Sequence, residues 1–524
     1  LGVQFLNTEN PAQQPIQWFS DATNPLSLPV RLSGPLRYLD ITDLAKRFGW
    51  QLTLQETTLQ ITTPGAKVLG IRQAKQPWGD RLVIELDRPT PWQTDLQNQE
   101  LVLTLDAQIA PPVIQQIKAI AGTYLQSVKV EPITNRTRLR LGGNFPNQRP
   151  RVWSLAAPNR LVVDVRPDSL VEQNIVWAPG LRWRQQILNV NSIQVPVVWL
   201  EVNPRQPGLR IRPILPNPTT MMGTAPLLQT AQQAQVSAAM NGGFFNRIRQ
   251  LPLGAIRLNN RWLSGPILNR GAIAWDATGN MILGRLTLRE TLITPTNQRF
   301  PLTHLNSGYV QAGIARYTTD WGPTYTTLAD NEILVTVQNN QVTGQQTLEK
   351  AGTNSPIPSN GYLLVLRSNR AAAPSLAPGT TLRLESPTEP ADFSRYPQII
   401  AAGPLLLQNR QVVLNAKGEG FSDAFVSETA ARSAIAKTAN GTVLIVAAHS
   451  RLDGTGLTLP ETAQLLQQLG AIDALNLDGG SSTTLYLGGQ LLDRPSQTAA
   501  RVHNGIGIFV PTSPPLTSPK ISKP

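Results

Sequence analysis

The sequence predicts a β-rich α+β protein. Small α+β and β-sandwich modules should come first, followed by a larger α+β domain built on mixed sheets. Three observations carry that expectation. Apolar residues alternate with polar ones in many short runs, the signature of half-buried strands. The 44 prolines and 39 glycines break the chain into short elements and turns. At 524 residues the chain is too long for one core, so two to four domains are expected.

Taken in order, residues 1–24 are polar and rich in Pro, Gln and Asn, and read as a linker or arm. Residues 25–65 read as a small βαββ module. Asp40 can cap a short helix with Ile41, Leu44, Ala45 and Phe48 on one face, and Gly49 ends it. Gln51–Leu54 and Leu59–Thr63 alternate as a hairpin. Residues 66–170 read as an all-β sandwich. Within it Arg81-Leu82-Val83-Ile84-Glu85-Leu86 is echoed by Arg160-Leu161-Val162-Val163-Asp164-Val165, which suggests two related halves. Residues 180–512 form the large domain. Ile187–Ile193 and Val195–Val202 read as paired strands, and Gln229–Gln235 as a helix. Thr458-Leu459-Pro460-Glu461 reads as a capping box opening a second helix. The strand–helix–strand order makes Thr442–Ala448 and Ala474–Leu477 neighbours, with His449 and Asp478 at one edge. The tail 513–524, rich in Pro, Ser and Lys, reads as disordered.

Bulk composition narrows the function. Net charge is +13, from 46 basic and 33 acidic residues, and favours anionic partners. The basic residues are scattered, with no run of nucleic-acid type, so nucleic acid is set aside. The absence of cysteine excludes disulfides, thiolate metal sites and a cysteine nucleophile. No apolar run is long enough to be a transmembrane segment. The chain starts at Leu1, and an exported protein with its leader removed, in the periplasm, cell envelope or extracellular space, is the expectation.

Two glycine turns concentrate the chemistry. An apolar run leads into Asp478-Gly479-Gly480-Ser481-Ser482-Thr483. That order puts a carboxylate, backbone N–H groups and hydroxyls on one small surface, where successive N–H groups can cradle an anion. A hairpin turn would account for Asp-Gly alone, but three hydroxyls exceed its needs. A second apolar run leads into Asn241-Gly242-Gly243-Phe244-Phe245, where the phenylalanines serve equally well as core anchors. Glu428 and Arg432 stand four apart, a spacing that an ordinary ion pair also explains.

Several stretches resemble known families. Residues 25–65 resemble the N-terminal module named after copper amine oxidases, found in bacterial wall proteins. Residues 66–170 resemble the AMIN domain, which implies envelope targeting and carbohydrate binding, with peptidoglycan as a partner. Three blocks are similar to the phosphodiester glycosidase family: Ala239–Phe245, Ala431–Ala436, and Thr458–Glu461 continuing to Asn476–Thr483, closed by Arg501 and Asn504. Two departures stand out. The chain has two glycines after Asp478 where many members have three. It has Ala448-His449-Ser450-Arg451 where many have Val-Asp-Gly-Arg; if that Asp contributes to catalysis, His449 or Asp453 must replace it or the substrate differs.

The resemblance implies a hydrolase that cleaves the glycosidic bond of a sugar-1-phosphodiester, such as an N-acetylglucosamine phosphodiester, in envelope or extracellular glycans. Asp478, Glu428 and His449 are then the candidate catalytic groups, with a carboxylate as base or nucleophile. Arg432 and Arg501 suit bidentate phosphate contacts. Asn241, Gly242, Gly243, Gly479, Gly480, Ser481, Ser482, Thr483 and Asn504 complete the expected substrate site. A hard divalent cation, Ca²⁺ or Mg²⁺, held by Asp478 is the one cofactor these residues admit. Zinc is set aside, because the three histidines form no ligand cluster. The competing class is a non-catalytic envelope protein that binds phosphorylated glycan or peptidoglycan.

Overall fold

The computed structural model describes every residue except 21–24, 57, 98–99, 118–121, 144, 146–149, 167–169, 452–453, 455 and 514–524. Asp453 and all but the first residue of the expected tail therefore lie outside the described residues. The chain divides into two compact units: Leu1–Val198 with Ser450–Thr455 and Pro511–Pro524, and Trp199–His449 with Gly456–Val510.

In the first unit, residues 1–20 are not the arm expected. Gln4–Phe5 and Gln13–Gln17 are strands, and their sheet continues through Leu26–Ser33 and Leu36–Leu39. A polar composition hid a strand whose inward positions, Gln14 and Ile16, are fully buried. Trp18 anchors it, meeting Phe19, Phe48 and Trp50 edge-on at centroid distances of 4.6–5.1 Å. The helix Thr42–Phe48 starts where Asp40 accepts the Thr42 N–H at 2.8 Å, and it stops at left-handed Gly49.

Two sheets follow and enclose apolar side chains between them. One orders Leu125–Ile133, Arg136–Gly143, Glu100–Leu105 and Trp92–Gln97. The other orders Ala107–Ile109, Ala66–Gln76, Gly79–Leu86, Arg160–Val165 and Arg151–Leu155. Alternation aims Leu82, Ile84, Leu103, Leu139, Leu141, Leu161 and Val163 into one core, which also takes in Ile16 and Leu44. The expected boundary at 65 therefore runs through a shared core. The two echoing strands are direct antiparallel neighbours, with Val83 opposite Val162. Arg81 forks onto Asp164 at 2.6 and 2.9 Å between them. Further on, left-handed Asn191 and Ser192 make a turn before Ile193, so the strand expected to run through Ile193 ends at Val190.

Two sheets of the second unit position the site. In one, Val443–Ala448 pairs with Arg432–Thr438, which pairs with Ala471–Asn476, which pairs with Leu405–Gln408, all antiparallel. Val443–Ala448 and Ala471–Asn476 are therefore not neighbours, as expected, but parallel strands with Arg432–Thr438 between them. The tight turn at Gly441 folds Arg432–Thr438 back onto Val443–Ala448 and takes that place. Both outer strands still end at one edge. The helix Leu459–Gln468 joins them and opens on a complete capping box, Thr458 with Glu461. It buries Leu459, Thr462, Ala463, Leu465 and Leu466.

The other sheet orders Arg210–Ile214, Gly505–Phe509, Ala238–Asn241, Leu485–Leu487 and Gln490–Leu491. Elsewhere in this unit Arg367, 4% exposed, donates to Glu332 at 2.6 Å and to the Tyr317 and Tyr325 hydroxyls at 2.9 Å. That network pins Glu332–Gln338 to Gly361–Arg367.

Candidate functional site

The strand Ala238–Asn241 comes from one sheet, and the strand ending at Asn476 comes from the other. Their ends are locked together around Asp478. Asn241 Nδ2 donates to the Asp478 carbonyl at 2.6 Å. Its Oδ1 accepts from the Ser433 hydroxyl at 2.8 Å and the Thr484 N–H at 3.0 Å. The Asp478 N–H donates to the Gly242 carbonyl at 3.0 Å, and the Gly480 N–H to the Ala431 carbonyl at 2.7 Å. Asn504 Oδ1 accepts the Gly243 N–H at 2.8 Å.

Close approach dictates the first glycine pair. A Cβ on Gly242 would lie 2.1 Å from Asn504 Oδ1, and one on Gly243 would lie 2.3 Å from the Ala401 carbonyl. In the second pair Gly480 takes a left-handed φ of 62°. Asn241, Gly242, Gly243 and Asn504 were expected to touch substrate. They are buried under the turn and hold it instead, because their polar groups bond to protein.

The turn is electrostatically unusual. Burial pushes the Asp478 carboxyl up to about 6, and the negative charge of Glu428 adds to this. The Ser482 hydroxyl, the Arg247 charge and the Gly479 N–H act the other way. Ser482 stands near the carboxylate but outside hydrogen-bond geometry. Ser482 Oγ and Thr483 Oγ1 are both buried and, among the described residues, have no hydrogen-bond partner. Ser481 and Glu428 are exposed, and Gly479 lies in extended backbone against the Ala431 carbonyl.

The two expected phosphate arginines are placed otherwise. Arg432 is 1% exposed, and burial holds its guanidinium below the usual range. Its Nε donates to the Leu457 carbonyl at 2.8 Å, and Nη2 donates to the Glu428 carbonyl. A bidentate phosphate contact through those donors is thereby lost, since the strand edge needs them. Arg501 is exposed and bound to Thr224, and no contact joins it to Asp478.

Three site residues escaped sequence reasoning. Arg247 lies one residue beyond Gly-Gly-Phe-Phe-Asn, and its position directly after that block was the available signal. Arg494 donates to the Gly480 and Ser481 carbonyls at 3.0 Å each and to the Thr498 carbonyl at 3.1 Å, bracing the turn. Asp493, whose side chain is fully buried, accepts the Leu485 N–H at 2.8 Å and meets His449 Nε2 at 2.7 Å. An acidic residue just after a hairpin gave no pattern to recognise.

The other neighbours are structural or aromatic. His503 is buried, with Nε2 2.8 Å from the Met221 carbonyl, and burial pushes it down to about 4, so it is neutral. Phe421 and Phe425 stack at 4.6 Å, and Phe244 meets both edge-on. Among the described residues no three His, Asp or Glu side chains converge as metal ligands. Among the described residues, Glu428 is the carboxylate whose charge acts on Asp478, and the Arg247 charge acts on it as well. That donor set does not fit a resident Ca²⁺ or Mg²⁺.

Residues 331–509 match the family model described as phosphodiester glycosidase. The Asn241 block lies outside that match and reaches the Asp478 turn only through the fold. The chain is 46% identical to a protein of Synechocystis described as hypothetical, over 98% of this chain and 92% of that one, with a TM-score of 0.89. A Burkholderia pseudomallei protein shares the fold alone, at 18% identity over 88% of this chain and 99% of that one, with a TM-score of 0.50. The N-acetylglucosamine-1-phosphodiester alpha-N-acetylglucosaminidase of Mus musculus is 29% identical over 110 residues, 19% of this chain and 21% of that protein. The human enzyme of that name is 28% identical over the same shares. The match thus spans about a fifth of the length of these curated relatives. What the chain shares with the phosphodiester glycosidase family is thus a domain match over residues 331–509.

Proposed function

We propose that this protein hydrolyses the glycosidic bond of a sugar-1-phosphodiester, with Asp478 as the base that activates water. One observation carries the reading. A carboxyl pushed up to about 6 is followed, four and five residues on in the same turn, by two buried hydroxyls, Ser482 and Thr483, that have no hydrogen-bond partner among the described residues. Such a carboxyl is still mostly ionised at neutral pH and is basic enough to take a proton from water. The phosphate leaving group is already a weak base, which lowers the demand for acid assistance. Arg247 and the two hydroxyls supply donors for the anionic part of the substrate. The name of the mouse relative supports N-acetylglucosamine as the sugar. The protein's basic balance supports an anionic glycan; we set that glycan in the envelope, with the N-terminal unit as the anchor of the protein.

The test is sugar release by the whole chain from UDP-N-acetylglucosamine and from an alkyl N-acetylglucosamine phosphodiester. Release should fall by about a hundredfold or more in Asp478→Asn, the usual weight of a general base. Binding of these compounds with no turnover by the parent protein would instead identify the non-catalytic glycan binder. Cell fractionation and peptidoglycan pull-down test the location and the role of the N-terminal unit.

A further inference from the structure

We propose that His449 is the acid that protonates the departing phosphate, and that Asp493 is its positioning residue. This rests on the hydrolase reading given above. The strand register brings the pair to the site. Arg432 lies opposite Ala448, so His449 begins where the Val443–Ala448 strand ends. On the other side of the same central strand, the Ser433 carbonyl accepts the Leu477 N–H, just before Asp478. His449 and Asp478 thus leave the same edge two strand spacings apart, about 10 Å along the sheet. A second path connects them. Arg494, next to Asp493, grips the Gly480 and Ser481 carbonyls of the Asp478 turn.

The dyad is ordered from below. Asp493 has no solvent-exposed side-chain surface, and both of its oxygens are engaged. Oδ1 accepts the Leu485 N–H at 2.8 Å, and Oδ2 faces His449 Nε2 at 2.7 Å, with Arg494 Nε 3.8 Å away. A buried carboxylate that accepts on Oδ2 assigns the Nε2 hydrogen to His449. Nδ1 is then the nitrogen that gains and loses a proton. His449 keeps 19% of its side chain exposed, so the ring meets solvent while its orientation is held from beneath. A carboxylate behind a histidine is the general device for fixing tautomer and aim.

The step balances. The water oxygen bonds to the anomeric carbon, and the water gives a proton to the Asp478 carboxylate. The bond from the anomeric carbon to the phosphate oxygen breaks, and its electron pair stays on that oxygen. His449 Nδ1 gives its proton to the phosphate, and solvent then restores both groups.

The experiment compares ethyl and 4-nitrophenyl diesters of N-acetylglucosamine 1-phosphate, using the whole chain. The nitrophenyl phosphate is the less basic leaving group and needs an acid less. His449→Gln and Asp493→Asn should lose about a hundredfold in kcat on the ethyl diester, and under a tenth of that factor on the nitrophenyl diester. If Asp493→Asn does not fold, His449→Gln, at a partly exposed position, carries the comparison. Equal losses on both substrates, or no loss, would overturn the assignment while Asp478-dependent turnover still stands. A parent protein that releases no sugar overturns the hydrolase reading and this assignment together.

Discussion

Asn241 Nδ2 donates to the carbonyl of Asp478 at 2.6 Å across 237 residues of chain. The same side chain accepts from Ser433 and Thr484, so one amide ties three segments under the turn. Asn241→Ala removes that amide and leaves a buried N–H and hydroxyl without partners. The expected cost is about 1–3 kcal/mol of stability for each group left unpaired. Denaturant melts report the stability. Sugar release should fall with it, because the Asp478 loop loses its support.

Gly242→Ala and Gly243→Ala should be more damaging than their size suggests. The added Cβ atoms would fall 2.1 and 2.3 Å from Asn504 Oδ1 and the Ala401 carbonyl. Overpacking against backbone and a buried amide costs roughly 1–3 kcal/mol or more. Thermal unfolding of the two variants, compared with an alanine at open Gly344, separates this close approach from a general loss of glycine.

The pH dependence of Asp478 has a definite sign. Its folded pKa of about 6 lies above the ordinary 3.8, so folding favours the protonated form. That contribution is complete below pH 3.8 and is lost as pH rises through 6. Asp478→Asn cannot ionise and should therefore exceed the parent in stability above pH 6, by on the order of 2–3 kcal/mol. The advantage should vanish near pH 4. In the parent, kcat/KM should rise with pH through about 6 as the carboxylate forms. Melts and initial rates across that range check both statements.

Arg367→Met should destabilise the second unit by about 3–5 kcal/mol, because it leaves Glu332 buried without its cation. Urea unfolding followed by tryptophan fluorescence reads this, since Trp321 packs on Tyr317 at 5.1 Å. Replacing both Arg367 and Glu332 with apolar residues should recover much of the loss.

Sugar release should persist in EDTA. Among the described residues, Asp478 feels one carboxylate, Glu428, and an arginine charge, not the oxygen cage that a hard cation requires. Initial rates before and after chelation and dialysis decide it.

Local chemistry made much of this legible in the sequence. The capping box at Thr458, the stop at Gly49 and the alternating strands of the sandwich each depend on residues a few positions apart. The Asp478 turn was visible for the same reason. Other features were set by pairing at a distance. Placing Arg432–Thr438 between two parallel strands depended on which strands pair, which periodicity does not encode. Gln13–Gln17 looked like a linker because one of its two inward positions is a glutamine. Asn241 and Asn504 read as ligand contacts because an amide's partners cannot be inferred from its own neighbours. Asp493 belonged to no pattern and became a site residue only through the fold, whereas Arg247 had its place directly after the Asn241 block as a signal.

The echoing strands Arg81–Leu86 and Arg160–Val165 lie side by side, with Arg81 facing Asp164 and Arg160 facing Glu85 in register. A local twofold axis therefore passes between Val83 and Val162. This is the geometry of an isologous dimer seam, where a surface meets its own copy, here drawn inside a single polypeptide. A change on one side of the axis has a counterpart on the other. Reversing the charges of Arg81 and Asp164 together should keep the seam closed, whereas reversing either one alone should open it.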